Sequence, residues 1–364
     1  MRSSTLVTAS LAAVAAAAPA SKRSSDFSPD GAYFPLQNGF PSPSKDQLMG
    51  IQKEAAGTLP NGPAPPTISD DGLTSLKLIA LNEIFEVAFF TELVYNVTNK
   101  LPGYDLGYGN EYVLGSLQAI VAQEQLHALN ANNALKAFKQ EPIQPCKYSF
   151  PVTDFHAAIA LAGTFTDVVL GTLQDVNQIF SKNRDDGLVR AVSSVIGNEG
   201  EQEGFFRLVQ KKRPSSQPFL TTSVRDFAFT AIQGFIIPGS CPNIDTIPLK
   251  TFEPLNVLSQ DIQPKTQNLH FSFDKKAANT SDWESLSVVY LNQQNVPVVK
   301  NLQNVQVKDD TVTFDAAFPF DEFVMFGLTI AAVTKGSGPF ANPDAVAKAA
   351  VFAPGLIEVN APLY

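Results

Sequence analysis

The stretch AQEQLHALNA, residues 122–131, places Glu124 and His127 three positions apart in a segment whose apolar residues recur at helical spacing. Leu117, Ile120, Val121, Ala128 and Ala131 share a face with Glu124, and His127 lies beside that face. An acid and an imidazole therefore point into an apolar interior. A buried ionisable group is unfavourable unless it is paired, protonated or bound to metal. The spacing thus leaves two readings open: half of a metal site, or a hydrogen-bonded pair inside a packed bundle.

Working outward, the same 3.6-residue rhythm predicts a helix over about 111–138 around this stretch. Ser69-Asp70-Asp71 can cap an earlier helix carrying Leu81, Phe85, Ala88 and Tyr95, ended by LPGYDLG at 101–107. A third begins after Thr153-Asp154 and runs through FHAAIALAGTFTDVVLGTLQDVNQIF. A fourth, from Gly187 to Lys212, is stopped by Arg213-Pro214, and a shorter fifth spans 223–235. Long helices with short connections give a bundle. Beyond about residue 248, NLHFSFD, SLSVVYLNQ, VPVVK, NVQVKD, TVTFDAAF and EFVMFGLTIAAVT are short β-rich runs between turn residues. The expected architecture is α+β in two domains: a four-helix bundle with a short fifth helix over 69–243, then a small antiparallel β-sandwich over 244–364.

The chain opens with MRSSTLVTASLAAVAAAAPA, a basic start followed by an apolar run and small residues, which reads as a signal peptide over 1–20. A second cut after Lys22-Arg23 is plausible, and 21–68, rich in Pro, Gly and Ser, reads as an extended lead segment. LIALNEIFEVAFFTELVY at 78–95 is apolar, but Glu83, Glu86 and Glu92 argue against a membrane span. An exported chain with two cysteines suits one disulfide, Cys146 to Cys241, the alternative being two buried thiols. Closing a loop of about 95 residues would contribute on the order of 4 kcal/mol. Asn96-Val97-Thr98 and Asn279-Thr280-Ser281 are glycosylation sequons. A net charge of -9 argues against nucleic acid or anionic lipid as partner.

The helix order, with QEQLH at 123–127, EGEQEGFFR at 199–207, VAFFTEL at 87–93 and VVLGTLQDV at 168–176, resembles a secreted ferritin-like family. That family includes fungal late sexual development and stress-response proteins and plant desiccation-related proteins. The resemblance covers about 70–243 and implies a di-metal bundle with one Glu from each of two helices and a Glu-x-x-His from each of the other two. Carried over, Glu124 and His127 match. The first-helix Glu, seven before Tyr95, falls on Ala88; the third-helix Glu falls on Thr166; and the second Glu-x-x-His becomes Glu199 with Gln202. Glu92, one turn after Ala88, is the substitute. Glu92, Glu124, His127 and Glu199 then supply three carboxylates and an imidazole, enough for one hard or borderline ion.

Two states follow: no resident cofactor, with Glu124 and His127 in a hydrogen-bonded network, or a single Fe, Mn or Zn ion. No catalytic residue is nominated. There is no G-x-S-x-G, phosphate-binding glycine loop or cysteine site, and His156 and His270 stand alone. The resemblance implies a secreted, stress- or development-associated protein acting as a non-catalytic scaffold or interaction protein. The alternative is an exported ferritin-like metalloprotein, for storage or oxidation, with a reduced metal site. Partners would be a cell-wall polymer or another extracellular protein, with FPFDEF at 318–323 as an aromatic patch.

Overall fold

The computed structural model describes residues 33–278, 280, 282–361 and 363, so the leader, the cut after Arg23 and Asn279 lie outside the described residues. The helices are α1 Lys45–Glu54, α2 Asp70–Thr98, α3 Glu111–Ala137, α4 Phe155–Asn183, α5 Val189–Val209 and α6 Arg225–Gln233. The Ser69 hydroxyl accepts from the Gly72 amide, and the Asp154 carboxylate from the Ala157 amide, so the residues that cap α2 and α4 are those the sequence offers.

On α2, Leu81, Ile84, Phe85, Val87, Ala88, Phe89 and Phe90 are at most 2% exposed, and their phases cover the whole circumference. A helix apolar on all sides belongs at the centre of a fold, and α2 packs along α3 with α4 behind it, while α4 pairs with α5. The stretch Phe155–Lys182 is long and apolar enough to cross a membrane, but 78% of its most apolar window is buried inside the protein, as a core helix requires.

The lead segment is not simply extended. It contains α1, opened by a capping box in which the Ser44 hydroxyl accepts from the Gln47 amide and the Gln47 side chain accepts from the Ser44 amide. Phe40 is 1% exposed, α1 packs on α3, and the Asn38 amide donates to Gln125.

The β region comprises β1 Asn256–Val257, β2 Gln267–Asp274, β3 Leu286–Asn292, β4 Val298–Asn301, β5 Gln303–Lys308, β6 Thr311–Phe318, β7 Gly327–Lys335 and β8 Ala350–Val359. Short helical turns α7 Lys275–Ala278, α8 Phe320–Phe323 and α9 Pro343–Ala349 lie between them. Two four-stranded antiparallel sheets form, β1-β2-β6-β5 and β4-β3-β7-β8. β6 alternates buried and half-buried residues, as a strand with one face on a core does, whereas every residue of β3 is buried. The second face of that sheet meets the helices: Val289, Leu291, Leu328 and Ile330 share a core with Val168 of α4 and Phe227 of α6.

Phe318 and Phe320 are buried, so FPFDEF is a corner of the sandwich core and not an aromatic patch. Cys146 and Cys241 form a disulfide, tying the segment before α4 to the segment after α6.

Candidate metal centre

Three helices converge on His127. Its Nδ1 lies 3.0 Å from Glu124 Oε2 on α3, 3.4 Å from Glu83 Oε2 on α2 and 3.6 Å from Glu199 Oε1 on α5. One donor atom from each of Glu83, Glu124, His127 and Glu199 lies within 4.8 Å of all the others. The three carboxylates are at most 1% exposed. On the far side, Gln202 Nε2 donates to Glu124 Oε1 at 2.5 Å, and Asn82 Nδ2 donates to Glu86 Oε1 at 3.2 Å. One turn beyond Glu86 and Gln202, the rings of Phe90 and Phe206 stack at 5.5 Å and close the core there.

The helix register corrects the expected donor set. Glu92 is not in the cluster: it accepts a hydrogen bond from the Tyr33 hydroxyl and lines a small cavity with Phe89, Asn96 and Tyr104. The α2 donor is Glu83, roughly two and a half turns earlier, on the opposite face from Glu92. Its neighbour Glu86, fully buried, sits one turn on. Both belong to the stretch whose charges argue against a membrane span, and the signal that marks them is an acid pair at i, i+3 in a helix otherwise apolar all round. From α4 no carboxylate joins the cluster: Thr166 stands buried at the expected ligand position, and Asp167 bonds to Glu358 instead. Asn96, of the first sequon, is 8% exposed and bonds to Tyr104.

The electrostatics follow from burial. Loss of water drives the Glu83 carboxyl well above the usual carboxylate range, partly opposed by the charge of His127. Burial, with the charges of Glu199 and Glu124, does the same to Glu86. Glu199 is pushed up to about 7 by burial and the charge of Glu124. Burial would raise Glu124 too, but the charge and hydrogen bond of His127, with bonds from Glu83 and Gln202, outweigh it and hold Glu124 lower than usual. His127 is held well above its ordinary value by its acids, against burial.

These residues fit a cation. Both oxygens of Glu199, together with Glu83 Oε2, are buried where no amide or hydroxyl donor reaches them. The Nδ1 of His127 carries at most one proton, and three carboxylates compete for it. Carboxylates plus one imidazole suit Fe, Mn or Zn.

A second group of buried charges lies where the bundle meets the sandwich. Asp167 of α4 shares a side-chain hydrogen bond with Glu358 of β8, and Glu203 and Arg207 of α5 pair at 3.5 Å, with Lys212 alongside. Burial pushes Asp167 up to about 6 and Glu358 up to about 8, and raises Glu203 well above its usual range.

No curated protein matches the chain. Residues 75–212 match the family model described as a ferritin-like domain, and this span carries every residue of the cluster, so the segment from α2 to α5 is a ferritin-like domain.

Proposed function

We propose that the helical domain holds a divalent transition-metal ion, Fe, Mn or Zn, at Glu83, Glu124, His127 and Glu199, in an exported protein whose β-sandwich serves as an interaction module. The reading rests above all on Glu199, a fully buried carboxylate that no amide or hydroxyl donor reaches and that has His127 beside it. An ion bound there supplies a Lewis-acidic centre. The residues do the rest: Glu83, Glu124 and Glu199 neutralise it, His127 contributes the borderline donor, and Phe90 and Phe206 keep water from that side. The disulfide and the signal-like start are consistent with export, and the resemblance to stress- and development-associated secreted proteins supports a role in that setting.

The test is elemental analysis of protein purified without chelator, followed by chelation and add-back with the melting temperature recorded. Metal retained in stoichiometric amount, and stability restored by about 2.7 kcal/mol at a hundredfold excess over Kd, are the expected results. Glu199→Gln should weaken binding by at least about 100-fold, since even partners outside the ligand set alter affinity by 10–100-fold. A second reading is a metal-free scaffold in which protons satisfy the cluster, favoured by the amide of Gln202 on Glu124. Protein without metal before and after add-back, with no change in melting temperature, would establish it.

A further inference from the structure

The donors around the cluster are distributed unevenly. Toward His127 the carboxylates present oxygens that lack neutral donors, whereas away from it one oxygen of Glu124 and one of Glu86 meet amides. Glu124 gives Oε2 to His127 and Oε1 to Gln202, whose Nε2 also lies 3.3 Å from the side-chain oxygens of Gln123 and Asn198. Glu86, one turn after Glu83, takes the Asn82 amide on Oε1. A lone pair that accepts an N–H is not available to a cation, and the hydrogen of an amide donor repels one.

A two-ion bundle needs carboxylates that reach both ions and a second imidazole from the opposite Glu-x-x-His pair. Here α5 presents Glu199 with Gln202 at the same i, i+3 spacing as Glu124 with His127, and α4 brings no carboxylate. We propose that Gln202 fills the place of a second cation with an amide donor, which fixes the centre at one ion and leaves Glu124 a single oxygen for it. The inference rests on the metal-centre reading above and adds its nuclearity and the residues that set it. Gln202 is a positioning residue in this account, not a ligand.

The experiment is a Mn(II) titration of the full-length protein and of Gln202→His, with bound metal counted and the EPR spectrum recorded. Wild-type protein should saturate at one ion with an uncoupled spectrum. Gln202→His should take up a second, more weakly held ion, with broadening from Mn–Mn coupling, a signature that mere loss of packing does not produce. Should the imidazole not be accommodated, Gln202→Glu makes the same test by exchanging a donor for an acceptor at constant size. Two coupled ions in wild-type protein would overturn the nuclearity and leave the metal centre standing. No binding at millimolar Mn(II) would overturn both. Folded variants that still stop at one ion would overturn the role given to Gln202.

Discussion

Glu83 and Glu92 lie on one helix and do different work. Glu83 faces His127, while Glu92 faces the lead segment and accepts from Tyr33. Glu92→Gln should therefore leave Mn(II) affinity within about twofold and lower stability by about 1 kcal/mol, read by titration and by denaturant unfolding. Glu83→Gln should reverse the pattern, weakening the ion by at least about 100-fold. Equal effects of the two would place the ion elsewhere. Glu124, His127 and Glu199 were legible because an i, i+3 pair and its counterpart on another helix have few uses in an apolar core. Glu83 was not, because the family spacing counted back from Tyr95 lands on Ala88, which is 0% exposed and simply packs. In a helix buried on all sides the apolar pattern has no phase, so periodicity cannot say which glutamate faces the centre.

At the level of elements, the lead segment and β8 are where sequence and structure part. KDQLMGIQKE is short and contains a glycine, so its helical rhythm is weak, yet the Ser44–Gln47 capping box fixes α1. The segment before it anchors through Phe40 and Tyr33, and Phe40→Ala should lower unfolding stability by about 3–5 kcal/mol without changing metal stoichiometry. A loss below about 1 kcal/mol would mean that the segment adds nothing to the bundle core. β8, AVFAPGLIEV, carries Pro354 and Gly355, residues that demote a strand; it is tolerated because β8 is the outer strand of its sheet, hydrogen-bonded there to β7. The alternating runs, TVTFDAAF foremost, were readable because one face of β6 meets the core and the other does not.

For the whole molecule the junction between bundle and sandwich matters most. Asp167, Glu203 and Glu358 meet there with Arg207 and Lys212, and all three acids titrate above their usual range because they are buried. Raised folded values mean that the folded chain holds protons that the unfolded chain releases. The stability attached to them is complete below the ordinary carboxylate range and is lost as pH rises through about 6 for Asp167 and about 8 for Glu358. Glu358→Gln should remove the upper part of that loss, making the variant less sensitive than wild type between pH 6 and 8 by roughly 2 kcal/mol, measured by thermal unfolding at fixed metal. Parallel curves would show that Glu358 is ionised in the folded protein. No sequence pattern announces this contact, since Asp167 and Glu358 lie in different domains and only packing brings them together. The disulfide has a consequence of another kind. It closes α4, α5 and α6 into a covalent ring, and Glu199 rides in that ring, whereas Glu83, Glu124 and His127 sit on the chain ahead of it. An ion held by all four therefore staples ring to tail, so that a backbone cut between Cys146 and Glu199 leaves the pieces joined twice, by one link that yields to a reductant and another that yields to a chelator.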